Sequence, residues 1–210
     1  LKFVLFVEGR AELIALPAFV KRWLDPKLSR RIGIQPVKFN GSGDYVDQVA
    51  RKAKKYLDSP GQRGIIAVIG LLDLYGLPDN FCPPHLLTAQ ELYSWAKQEL
   101  EKRVRAAGFH QYFAVHELEA WLLSDPNLFP GEVRNALPGS ATNPETVNFT
   151  LPPAKLLEKL YREKLKRHYR KTVDSRDLFG KLDPGIAYQK CPRFREMLDE
   201  MLKLAKDSGL

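Results

Sequence analysis

The chain has 210 residues, 44% hydrophobic and 28% charged, with a formal net charge of +8. These proportions exclude an intrinsically disordered polymer, and the length supports one medium-sized core without disulfide or metal staples. Cys82 and Cys191 are the only cysteines and lie far apart, which argues against a disulfide framework or a structural zinc site. No apolar run approaches the roughly 18 residues of a membrane helix, and the opening LKFVLFV is too short for a signal segment. A cytoplasmic location without a membrane partner is therefore expected.

In chain order, residues 3–7 form a continuous apolar run ending in Glu-Gly, the pattern of a strand covered on both faces. Leu13, Leu16, Phe19, Val20 and Trp23 recur at helical spacing over 11–24, with Pro17 expected to kink that helix. Residues 32–39 read as an edge strand because Pro36 cannot donate to a central ladder. Residues 40–44, Asn-Gly-Ser-Gly-Asp, predict a turn, and Tyr45, Val49, Ala53, Tyr56 and Leu57 predict a second helix after it. The backbone amides of Gly41 to Gly43 can also approach a phosphate, although the spacing matches no established phosphate loop and a plain helix start explains the same letters.

Residues 65–72 (IIAVIGLL) predict the central strand, bounded by Pro60-Gly61 before and Asp73 after. Thr88 and Glu91 make a capping box for a helix over 89–106, with Gly108 as its stop. A fourth strand follows at 111–115 and a helical turn at 116–124. Residues 125–153 read as a long loop, 154–168 as a helix, and Pro192 as the start of a last amphipathic helix. Strands alternating with helices predict an α/β fold with a largely parallel four-stranded sheet flanked by helices. The expected organisation is a core at 1–130, a loop at 131–153 and a C-terminal helical extension at 154–210, packed together as one domain.

In a parallel sheet, loops at the carboxyl ends of the strands converge on ligands. Glu8 follows the first strand, Asp73 the central one, and Glu117 and Glu119 the fourth. One such carboxylate is commonly a turn or capping residue. Several together would repel unless a cation neutralised them, and an all-oxygen donor set suits Mg²⁺ or Mn²⁺. Glu12, one turn beyond Glu8, is either a further ligand or a partner for Arg10 or a nearby lysine. His116 adjoins Glu117 and offers a general acid or base, or else a structural histidine.

The basic excess is uneven: residues 1–150 carry 18 Lys/Arg against 16 Asp/Glu, and residues 151–210 carry 15 against 9. Lys155, Lys159, Lys164, Lys166 and Arg170 are candidates for nucleic-acid phosphates, with Tyr161 and Tyr169 interleaved as candidate base-stacking rings. The solvated face of an amphipathic helix accounts for the same pattern.

The blocks VEGRAE (Val7 to Glu12), LLDLYGLP (Leu71 to Pro78) and VHELEAWLLSDP (Val115 to Pro126) resemble, in order and approximate spacing, the toprim-like family known as domain of unknown function 4276. That family is similar to the toprim nucleases of overcoming-lysogenization-defect proteins, topoisomerases and primases. The resemblance implies a Mg²⁺-dependent nuclease or phosphoryl-transfer core that works with an ATPase partner in phage or plasmid defence. Glu8 matches the glutamate of the first toprim motif, and Asp73 the first aspartate of Asp-x-Asp. Tyr75 stands where the second aspartate belongs, so a two-metal site would recruit Asp79, Glu117 or Glu119. Ala11 replaces a common threonine. Three functions follow from these residues: a metal-dependent nuclease, a catalytically inactive toprim-like module that binds nucleic acid or a protein partner, and a hydrolase of small phosphates.

Overall fold

The computed structural model describes residues 1–58, 64–86, 88–145 and 151–210. Its centre is a sheet of four parallel strands, β1 (Lys2–Val7), β2 (Gly33–Lys38), β3 (Ile65–Asp73) and β4 (Phe109–Ala114), in the spatial order β2-β1-β3-β4. The α/β expectation holds, and β2 with its Pro36 is indeed at an edge. Val7 pairs with Lys38 and Leu71, and Asp73 pairs with Ala114, so the carboxyl ends of the strands lie along one edge of the sheet.

The runs in β1 and β3 lack alternation because both faces of the sheet are covered. Val4, Phe6, Val68, Leu72 and Phe113 point towards α2 (Gly41–Leu57) and α3 (Ala89–Val104). Phe3, Leu5, Val7, Ile69, Leu71 and Tyr112 point the other way, towards α1 (Arg10–Leu24), α4 (Glu119–Leu123) and the C-terminal helices. Those helices are α6 (Pro153–Leu165), α7 (Lys171–Lys181), α8 (Pro184–Lys190) and α9 (Pro192–Asp207), preceded by the short α5 (Gly131–Arg134). Phe19 of α1 stacks on Phe194 of α9 at 5.0–5.3 Å from its two partners, the other being Phe179 of α7. All three rings are buried, and each contributes roughly 1.5–3 kcal/mol of burial. The C-terminal helices therefore share one continuous core with the sheet.

Several boundaries differ from the sequence expectation. The Asn-Gly-Ser-Gly-Asp cluster is no separate turn: α2 begins at Gly41, with Asn40 as its N-cap. Pro17 lies inside α1, in keeping with the helix expected over 11–24. Helix α3 has the expected capping box, but it stops at Val104 and Arg105 takes the left-handed cap conformation, φ 54°, ahead of Gly108. The stretch 125–153 holds α5 and two 3-10 turns, Pro126–Leu128 and Gly139–Thr142, while residues 146–150 and the Pro60-Gly61 turn lie outside the described residues. The helix expected over 154–168 closes at Leu165, with Lys166 left-handed at φ 53°.

Two contacts fix α7 beside α1. At the far end, the Arg22 guanidinium of α1 donates to the Phe179, Gly180 and Leu182 carbonyls, covering the end of α7. At the near end, Lys171 and Thr172 of α7 border the same cavity as Arg10, Ala11 and Glu12 of α1. The two helices thus run side by side in the same direction, and α7 delivers its first turn to the carboxyl edge of the sheet.

Glu145 ties the loop region to the core. It is 8% exposed, accepts a hydrogen bond from Trp121 Nε1 at 2.9 Å and caps α9 through the Arg193 N–H at 2.6 Å. Burial pushes its carboxyl up from 4.5 to about 7, against the opposing pull of these donors. The folded state holds that proton more tightly than the unfolded chain. Its stabilising contribution is therefore complete below pH 4.5 and is lost as pH rises through 7, amounting to roughly 3 kcal/mol. Thermal melts between about pH 5 and about pH 8 are expected to show the midpoint falling, and Glu145→Gln should flatten the fall. A variant curve parallel to wild type would remove Glu145 from this role.

Candidate metal centre

Glu8, Gly9, Arg10, Ala11, Glu12, Asp73, Lys171 and Thr172 line a cavity of about 220 Å³ at the carboxyl edge of the sheet. Each part arrives from a different element. Glu8 leaves the end of β1, and Glu12 returns from the first turn of α1. A side chain at Gly9 would bring its Cβ to 2.8 Å from Glu12 Oε2, so glycine there lets the Glu12 carboxylate fold over the β1–α1 turn. Asp73 is the last residue of β3. Gly76 borders both acids, with its Cβ position 3.6 Å from Glu8 Oε2 and 3.5 Å from the Asp73 Cβ.

The electrostatics match this crowding. Burial raises the Glu8 carboxyl above its ordinary value and Glu12 adds to the rise, while Lys171 and the Ser42 backbone N–H oppose it. The amides at the start of α2 thus serve a carboxylate of the protein itself. Burial raises Asp73 further still, helped by Glu12, Glu119 and Glu8 and opposed by Lys171. Glu8 Oε2 is buried without a hydrogen-bond partner.

Glu119 lies one step deeper, at 0% exposure, and burial again raises its carboxyl. Its Oε1 accepts from Ser175 Oγ at 3.2 Å. Its Oε2 faces Lys171 Nζ at 3.5 Å, an ion pair whose geometry leaves that oxygen without a hydrogen bond. Glu117 turns elsewhere: its Oε2 accepts the Ala154 N–H at 2.8 Å and covers the first turn of α6. Asp79 is exposed on the loop beyond the Leu74–Gly76 turn. Among the described residues, no three His, Cys, Asp or Glu side chains are grouped tightly enough to form a ready-made metal cage. The structure brings Glu8, Glu12 and Asp73 to one cavity, sets Glu119 behind Lys171, and engages Glu117 as a cap.

Lys171 is the residue that sequence reasoning passed over. Burial opposes its charge, but Glu119, Asp73, Glu117 and Glu12 together hold its ammonium well above the ordinary lysine range. In the sequence it is one basic residue at the end of a lysine-rich stretch, and nothing local marks it out.

His116 sits just past β4 with φ 70°, a left-handed conformation that costs a residue bearing a Cβ. Its ring stacks on Tyr75 at 5.1 Å with 29° between planes. Of the basic candidates, Lys155, Lys159, Lys164, Lys166 and Arg170 are all exposed, but they are not on one helix: the first three lie on α6, Lys166 is its cap, and Arg170 precedes α7. Lys155 pairs with Glu158 at 3.2 Å and Arg170 with Asp174 at 3.5 Å. The base-stacking reading of Tyr161 and Tyr169 fails, because both are buried and pack edge-on against each other at 5.2 Å.

No helix among the described residues is long and apolar enough to cross a membrane. A comparison with curated proteins found no match. Among solved structures, the chain is similar to the C-terminal region of the Burkholderia pseudomallei OLD protein, with 20% identity over 95% of this chain and 98% of that one and a TM-score of 0.48. It is also similar to the C-terminal region of the Xanthomonas campestris pv. campestris OLD protein, with 19% identity over 98% and 92% of the two chains and a TM-score of 0.46. The family model described as Domain of unknown function (DUF4276) matches residues 7–202, and the chain belongs to that family.

Proposed function

We propose that this protein is a divalent-metal-dependent nuclease, hydrolysing phosphodiester bonds of nucleic acid at the cavity between β1, β3 and α7. The observation that carries this reading is the convergence of Glu8, Glu12 and Asp73 on one cavity, with a buried carboxylate oxygen of Glu8 left without a partner. A donor set made only of carboxylate oxygens fits a hard cation such as Mg²⁺ or Mn²⁺. When bound, such an ion supplies a Lewis acid for the phosphate and lowers the pKa of attacking water. Glu8 and Asp73 would hold it from two strand ends, with Glu12 lining the cavity from α1. Lys171, kept protonated by its carboxylate neighbours, sets a fixed positive charge at the rim and offsets charge that builds on the phosphate. Glu119 orients Lys171 through their ion pair. An ATPase partner belongs to this reading through the family resemblance.

The test is cleavage of single- and double-stranded DNA and RNA by purified protein with Mg²⁺ or Mn²⁺, with and without chelator. Metal-dependent products that vanish on chelation are expected. Tyr75 in place of a second aspartate, together with the lack of a preassembled three-ligand cluster among the described residues, favours a second reading: a catalytically inactive module that binds nucleic acid or a protein partner. Binding without cleavage under every metal condition would establish it.

Both readings give Lys155, Lys159, Lys164, Lys166 and Arg170 a role against phosphates. Replacing all five by glutamine is expected to flatten the salt dependence of duplex binding by up to about 4.5 units of log–log slope, at about 0.9 per lost contact. An unchanged slope would assign these residues to solubility or to contact with a protein partner.

A further inference from the structure

We propose that Tyr75 and His116 together form a stacking platform for an unpaired nucleobase at the rim of the carboxylate cavity. This deepens the nuclease reading and rests on it. Tyr75 is 50% exposed and is the one aromatic side chain among the exposed large hydrophobics of the described residues, the others being Leu1 and Ile14. Its turn is pinned from below by Leu74, which is fully buried, and the Tyr75 ring is held half-exposed at the surface. A tyrosine serving the core would be buried like Tyr45 or Tyr161.

The partner ring is placed by register. Asp73 pairs with Ala114 across β3 and β4, and Tyr75 and His116 each stand two residues further on. His116 reaches its position in a left-handed backbone conformation that a histidine adopts at a steric cost. The result is two rings at 5.1 Å and 29°, with one face of a half-exposed Tyr75 backed by His116. Strained backbone that presents a side chain beside a candidate site is characteristic of functional positions.

The platform is also correctly sited for a nucleotide. Tyr75 lies two residues from Asp73, and Gly76, its neighbour, borders Glu8 Oε2. A base resting on Tyr75 has its sugar and phosphate beside the acids. Aromatic faces accept any base, but only one that is out of a duplex stack, so the chemistry selects unpaired nucleobases without sequence preference.

The test is affinity, measured with chelator present so that no strand is cut, by fluorescence anisotropy of labelled oligo-deoxythymidine and of a blunt duplex. Tyr75→Ala is expected to weaken single-strand binding roughly ten- to a hundredfold, the range of base–aromatic stacking, and to leave duplex binding unchanged. Tyr75→Phe and Tyr75→Trp retain wild-type affinity. His116→Gly, which adopts φ 70° freely and so keeps the backbone, weakens single-strand binding in the same direction. Thymidine monophosphate that displaces the oligonucleotide would identify free nucleotides as occupants of the platform, and failure to displace it would identify strands. Wild-type affinity in Tyr75→Ala, an equal loss in Tyr75→Phe, or an equal loss on duplex would overturn the platform while leaving the nuclease reading intact. A wild-type protein that binds no nucleic acid would overturn both.

Discussion

Replacing Asp73 by asparagine is expected to abolish metal-dependent cleavage, with a loss of at least about a hundredfold. Groups that merely position a metal ligand already cost about 10–100-fold when removed, and Asp73 is a direct candidate ligand. The same variant carries a stability signature. In the metal-free protein the Asp73 carboxyl is raised well above 3.8, first by burial and then by Glu12, Glu119 and Glu8. A raised carboxyl stabilises the fold while protonated, and that contribution is lost as pH rises through its folded value. Asparagine cannot ionise, so the metal-free variant should match wild type in acid and melt at or above it near neutrality. Mg²⁺ should raise the wild-type midpoint by mass action, about 2.7 kcal/mol at a hundredfold excess over Kd, and leave the variant unmoved. Cleavage that persists in Asp73→Asn, or an equal Mg²⁺ response in both proteins, would place the metal elsewhere.

Lys171→Met should remove most activity and destabilise the fold by roughly 2 kcal/mol. Breaking a fully buried ion pair costs about 3–5 kcal/mol, and the lower figure reflects a lysine side chain that is 44% exposed and screened by solvent. The sign of the pH effect follows from both partners. The raised Lys171 contributes below 10.5 for as long as its carboxylate neighbours stay ionised, while burial makes Glu119 favour its proton and Lys171 resists this. In acid, Glu119 is protonated and little is lost with the lysine. The deficit therefore opens as pH rises above the ordinary carboxylate range. Adding Glu119→Gln to Lys171→Met should recover much of the stability without recovering activity. Melting curves of Lys171→Met that overlay wild type at every pH would show that the pair does not hold α7 in place.

The sheet was legible in the sequence because β1 and β3 are covered on both faces, which writes an uninterrupted apolar run into each. The acids at the strand ends were legible for a related reason: a parallel topology forces Glu8 and Asp73 to one edge once the strands are known. Helix α7 was not. Its inner side includes Asp174 and Ser175 beside Leu178 and Phe179, so no apolar stripe marks it; Asp174 is held by Arg167 and Arg170 just ahead of the helix, and Ser175 by Tyr169 and the distant Glu119. Lys171 was hidden with it, since its role depends on residues that meet it only in three dimensions. Glu117 illustrates the converse: its position beyond β4 suggested a ligand, but the Ala154 amide it accepts belongs to a helix whose approach no local pattern reveals.

Helices α1, α2, α6 and α7 each begin beside an acid at this edge of the molecule. The start of α1 carries Glu12, the Ser42 amide of α2 meets Glu8, the Ala154 amide of α6 meets Glu117, and the first turn of α7 stands across the cavity from Asp73. The aligned peptide dipoles of a helix place roughly half a positive charge at its first turn. Four such ends supply a diffuse positive field that no residue count records, in a region the formal charges describe as acidic. The carboxylates can therefore be assembled without a bound cation, and a polyanion nearing the rim would meet a potential milder than its row of acids implies.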